Sequence, residues 1–347
     1  MGFFTAVLGP GSISIAFDKA EYYGGDVLSG QITLRVTSRI DRSQPMQMEI
    51  VGEETMRWRK KPVDHHKHRH SDTCSSREHG KWDDEDHRER REVYQVLREE
   101  ICLDIPGRSY EVGEHVFPFD YRLPATLPGS FSFKHGVIRD MRDVKVRCEY
   151  SLRVRLPVDS MWQADIVKTE VVYVREQPSK QVPRSITQSE ARQVNFLHLF
   201  NQGECHLTAS IERDVLPMGG CVQLDCTVEN QSSWCIRSIE QRLNQIVELH
   251  RYETSRSLLH QGPPTVTRTM SERSSDGFGA RQRKEILLAQ HIEYTPTWWS
   301  ASNESQLLPS MRSHFLSVRY ELVVQCCQTL CSSASVIIPV VITTKLP

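Results

Sequence analysis

The chain has 347 residues, 38% hydrophobic and 25% charged, with 43 basic against 44 acidic side chains and a formal charge of -1. That balance gives no global pull toward nucleic acid or a membrane, so any charge recognition must be local. The length exceeds what one hydrophobic core supports and suits two, and no apolar run reaches the roughly 20 residues of a membrane-spanning helix.

The 10 cysteines are scattered without C-x-x-C pairs, which points to reduced, mostly buried thiols of a cytosolic protein. The opening MGFFTAVLG has no basic stretch before its apolar run, so no secretory leader is expected. Ala6 also stands where a myristoylation signal wants Ser or Thr.

In chain order, Ile13, Ile15 and Phe17 alternate with polar neighbours, Gly24-Gly25 supplies turn chemistry, and Ile32, Leu34 and Val36 alternate again. Residues 46–59 read as a further strand, with a hairpin partner beginning at Tyr94. Between them, residues 61–91 hold six of the 14 histidines and almost no apolar side chain, a composition that cannot offset its own ordering entropy. The metal reading of this insertion uses His65, His66, His68, His70, Cys74, His79 and His87. Their spacing matches no defined finger, so no built metal site and no cofactor are expected.

Residues 115–136 place Phe117, Phe119 and Tyr121 in alternation before two Leu-Pro steps that force extended backbone. Asp143–Val158 then shows the cleanest strand period in the chain. Val144, Val146, Cys148, Tyr150, Leu152, Val154 and Leu156 fall on one side, and Lys145, Arg147, Glu149, Ser151, Arg153 and Arg155 on the other. Lys145, Arg147, Arg153 and Arg155 are the candidate partner-binding residues: a basic strand face for acidic or phosphorylated tails, or for anionic headgroups.

Residues 177–202 read as a linker, with Ser185 and Gln188 at capping-box spacing for a short helix. Strand, Gly219-Gly220 turn and strand then follow in the order already met, residues 236–249 read as a strand pair, and 251–285 as a polar loop carrying Ser271, Ser274 and Ser275. Tyr320-Glu-Leu322-Val-Val324 echoes Tyr150-Ser-Leu152-Arg-Val154, which indicates an internal duplication of a β-sandwich.

These marks resemble the arrestin fold, and within it the α-arrestin, or arrestin domain-containing, family. The first half carries YYGGDVLSG from Tyr22, FPFDYRLPATLPGSF from Phe117 and Lys134-His135-Gly136. The second carries GECHLTASIERDVLPMGGCVQLDCTVENQSS from Gly203, Arg242-Leu243-Asn244-Gln245 and FLSVRYELVV from Phe315. Extra residues, Asp140 to Val144, separate the Lys-His-Gly turn from its following strand.

The resemblance implies an all-β chain of two tandem antiparallel sandwiches: 1–176, with the 61–91 insertion, a linker over 177–202, and 203–347. It implies a non-enzymatic cytosolic adaptor, peripheral at the plasma membrane or endosomes, that binds cytoplasmic segments of membrane proteins for endocytosis or endosomal sorting. Ubiquitin-ligase or coat machinery would be its further partners, although the Pro-Pro-x-Tyr ligase motif of many α-arrestins does not occur: Pro263-Pro264 is followed by Thr265 and Val266. The alternatives are a subunit of a retromer-like sorting complex and a metal-binding protein. No G-x-S-x-G, Gly-rich phosphate loop or H-E-x-x-H motif supports an enzyme.

Overall fold

The computed structural model describes residues 10–60, 89–158, 164–177, 182–196, 200–250, 262–293, 307–328 and 333–344. The metal reading of residues 65–87 lies outside them. All regular elements are strands, in two compact units divided between Gln177 and Pro178.

The first unit holds β1 (Gly11–Phe17), β2 (Tyr22–Tyr23), β3 (Val27–Val36), β4 (Ile40–Ser43), β5 (Gln47–Lys60), β6 (Glu89–Cys102), β7 (Arg108–Tyr110), β8 (Gly113–Arg122), β9 (Phe131–Ile138), β10 (Met141–Leu156), β11 (Ile166–Val172) and β12 (Val174–Arg175). One sheet runs β1-β3-β8. The facing sheet runs β11-β10-β5-β6, with β9 also hydrogen-bonded to β10. The alternation read in β10 is obeyed throughout, with all seven apolar positions from Val144 to Leu156 at 1% exposure or less. Each such aliphatic side chain contributes roughly 1.5–3 kcal/mol by leaving water.

The second unit repeats this plan with β13 (Ile186–Phe196), β14 (Phe200–Ile211), β15 (Val215–Pro217), β16 (Cys221–Asn230), β17 (Ile236–Leu249), β18 (Thr265–Phe278), β19 (Gln282–His291), β20 (Met311–Arg312), β21 (Leu316–Cys327) and β22 (Ala334–Thr343). Its sheets run β13-β14-β16-β19 and β15-β22-β21-β17-β18, with β20 on β21.

The duplication extends to individual hydrogen bonds. In the first unit the Ser130 N–H donates to the Val174 carbonyl at 2.7 Å, and the Val174 N–H donates to Ser130 Oγ at 3.1 Å. In the second, Ser310 and Ile342 make the same reciprocal pair at 2.8 and 2.9 Å. The Tyr150 hydroxyl donates to the Pro128 carbonyl at 2.7 Å, and the Tyr320 hydroxyl donates to the Leu308 carbonyl. Both Gly-Gly turns need positive φ, 85° at Gly25 and 80° at Gly219, a region glycine enters without steric cost.

Four sequence expectations are corrected. Residues 186–196 form no helix: β13 pairs along β14, because the strand ladder satisfies more backbone groups than one capping box. Residues 236–249 are a single strand rather than a pair. Much of the expected loop over 251–285 is β18, whose Thr265, Thr267 and Thr269 are β-branched strand formers, so Ser271, Ser274 and Ser275 lie in a strand. Finally, Lys134-His135-Gly136 is no turn. It lies within β9, which continues to Ile138, and the chain reverses at Arg139-Asp140 with Arg139 at φ 53°.

Gly52 sits in β5 directly opposite Tyr150, and a β-carbon there would stand 2.5 Å from the Tyr150 ring. Gly52→Ala is expected to cost about 1–3 kcal/mol of stability, because the buried ring has nowhere to move. Urea unfolding of the full chain would measure it, and an unchanged midpoint would contradict this account of the contact.

Candidate binding surface

β10 is an interior strand of its sheet, so its outward residues meet side chains from β5 on one flank and from β9 and β11 on the other. Cross-strand register decides which charges become neighbours. Lys145 pairs with Lys134 of β9 and with Arg57 of β5, and Arg57 pairs with Arg91 of β6. Four cations therefore form one row across four adjacent strands, about 14 Å long at the usual strand spacing. In the row toward the β9–β10 turn, Val137, Arg142, Arg59 and Glu89 lie opposite one another. In the row on the other side, Ser132, Arg147, Thr55 and Val93 do.

A bulge between Arg142 and Lys145 gives β10 one residue more than β5, with Asp143 at φ 51°. This end of the face thus carries seven cations against two carboxylates, Glu89 and Asp143. Asp143 lies 3.6 Å from Arg59, and Arg147 lies 3.7 Å from Glu149. Among the described residues, Lys145, Arg57 and Arg91 enter none of the ion pairs. Partial burial, with Arg147 and Lys145 close by, pulls the Lys134 pKa below the usual lysine range.

The other end of the same face differs. Arg155 is bound to Asp165 at 2.6 Å, and that hydrogen bond holds the Asp165 carboxyl below the usual aspartate range. Arg153 sits opposite Glu49, whose carboxylate Arg98 contacts at 2.8 Å. The structure therefore separates the four candidate residues. Lys145 and Arg147 belong to the cationic end, whereas Arg153 and Arg155 belong to a mixed-charge end shared with Glu49, Glu53, Glu100 and Glu149. Lys134, Arg57 and Arg91 join the site without having been singled out from sequence. The only available signal was the hairpin partnership of residues 46–59 with the run from Tyr94, and it does not fix register.

Tandem sandwiches of matching topology, each closed by the same serine and tyrosine contacts, define a two-domain, all-β protein whose open sheet faces and edges suit binding. Residues 12–176 match the model for the arrestin (or S-antigen) N-terminal domain, and residues 201–347 match that for the C-terminal domain. The chain belongs to the arrestin family. No curated protein matches the chain. In general the family's domains serve trafficking adaptors and scaffolds that bind receptor tails rather than catalyse reactions. Among the described residues, no helix is long and apolar enough to cross a membrane and no cluster of His, Cys, Asp and Glu is arranged to hold a metal ion.

Like charges directly opposite one another destabilise a sheet by up to about 1 kcal/mol a pair. Lys145→Glu turns two such pairs, with Lys134 and with Arg57, into attractive ones. The variant is expected to unfold at a higher temperature than the parent in low salt, and the difference should shrink as salt is raised. Melting curves at two ionic strengths would check this, and a lower midpoint in low salt would mean that the row is neutralised in another way.

Proposed function

We propose that the protein is an adaptor of the α-arrestin kind, which binds cytoplasmic segments of membrane proteins and directs them into endocytosis or endosomal sorting. The cationic end of the first unit's outer face supplies its attraction to anionic partners on the cytoplasmic side of the membrane. The observation that carries this reading is the row of Lys145, Arg57 and Arg91, which enter no ion pair among the described residues, with Lys134 and Arg147 beside it. A row of like charges that costs stability is retained by the fold, and an anionic partner converts that cost into binding. Arg153 and Arg155 lie outside this end and take no part, Arg155 being bound to Asp165 and Arg153 standing across from Glu49. The protein then works peripherally, at the plasma membrane or endosomes, with ubiquitin-ligase or coat machinery as further partners.

Proximity labelling with the tagged full chain in its native cell tests this. Membrane proteins and sorting machinery should be labelled by the parent chain and by the Arg153→Glu, Arg155→Glu variant. Labelling should fall about tenfold for Lys145→Glu with Arg57→Glu, because charge-complementary encounter is lost. Equal labelling by all three chains would overturn the proposal.

A further inference from the structure

Two exposed valines flank the cationic row on the same face. Val137 is 50% exposed in the row on one side, opposite Arg142, and Val93 is 48% exposed in the row on the other, opposite Thr55. Lys145, Arg57 and Arg91 between them are exposed as well. Successive rows on one face of a strand lie about 7 Å apart, so the three rows make a patch about 14 Å on each side. Long cationic side chains around small exposed aliphatic ones form the composition of a surface that rests on a bilayer. The cations reach phosphate oxygens while their stems, and the aliphatic groups, meet the headgroup and acyl boundary. An acidic peptide would satisfy the cations and leave both valines in water.

We infer that this patch is an electrostatic dock for an anionic phospholipid surface, with Lys145, Arg57, Arg91, Lys134 and Arg147 over the headgroups and Val137 and Val93 against them. The inference rests on the reading of this face as a site for anionic partners, and it names that partner as the lipid layer itself. A lone patch of this size binds weakly and reversibly. Its effect is to raise the concentration of the adaptor near membrane-protein segments, so that a second contact with cargo becomes effectively intramolecular. The mixed-charge end around Arg153 and Arg155, with its own carboxylates, takes no part.

The test is co-sedimentation of the full chain with vesicles of phosphatidylcholine alone, or of phosphatidylcholine and phosphatidylserine in about equal parts. Binding is expected only to the second, and it should weaken as salt is raised. Lys145→Glu with Arg57→Glu should reduce it at least about thirtyfold. Val137→Ser with Val93→Ser should reduce it severalfold, and Arg153→Glu with Arg155→Glu should leave it unchanged. Thermal unfolding of each variant establishes that it folds. A parallel arm measures binding of a glutamate-rich peptide by fluorescence anisotropy. Vesicle binding that ignores phosphatidylserine, or survives the Lys145 and Arg57 reversal, overturns the inference. Peptide binding that needs Lys145 and Arg57, without vesicle binding, also overturns it but leaves the broader anionic-partner reading standing. If neither probe binds, both fall.

Discussion

In each sandwich a serine braces the extended segment that links its sheets. In the first unit Ser130 both gives and receives a hydrogen bond with the backbone of Val174, and in the second Ser310 does the same with Ile342. The joint fixes where the extended Leu-Pro segment ends and where the next strand begins. In the first unit that strand is β9, and only because β9 is delivered alongside β10 does Lys134 stand opposite Lys145. The Tyr150 hydroxyl on Pro128 holds the same segment from the core side. These part-buried contacts thus brace the segment that leads into the strand carrying Lys134.

The second unit keeps the joint and the tyrosine but dresses its outer face differently. Arg242 is held between Glu240 and Glu272, and Arg319 lies 2.9 Å from Glu321. In its core the Asn230 amide donates to the Trp234 carbonyl at 2.7 Å, and Gln245 donates to the Tyr320 hydroxyl at 2.6 Å. Within the Asn-Gln-Ser-Ser block, Asn230 and Ser232 are buried and brace the loop, Ser232 donating to Asn230 at 2.6 Å, while Gln231 and Ser233 are exposed. Duplication conserved the frame, while the pairing of charges on the outer face differs between the units.

Those differences explain what the sequence disclosed. The core of β10 and its echo at Tyr320 were legible, because alternation over many residues follows directly from one buried face. The strand β13 was not, since Ser185 and Gln188 mimic a helix start and the competing ladder with β14 is a long-range event. The strand β18 was hidden because both of its faces are polar, so hydrophobic periodicity is silent there. The cationic row escaped for a related reason. Basic residues on β10 could be counted along the chain, but Arg57, Arg91 and Lys134 become their neighbours only through register, and register belongs to the folded sheet. The same register also removed Arg153 and Arg155 from the cluster by setting them beside Glu49 and Asp165.

The bulge at Asp143 decides which face the end of β10 presents. In a regular hairpin, gaining or losing a single residue near the tip turns every following side chain to the opposite face. Here β10 carries one residue more than β5 between Arg142 and Lys145, which keeps Met141 inside and Arg142 outside. β9 follows β10 through the bulge in unbroken register, so Val137 is carried to the outer face opposite Arg142 and Ile138 to the core opposite Met141. A single extra residue thus re-aims the ends of two strands at once, while Val146 through Leu156 stay packed.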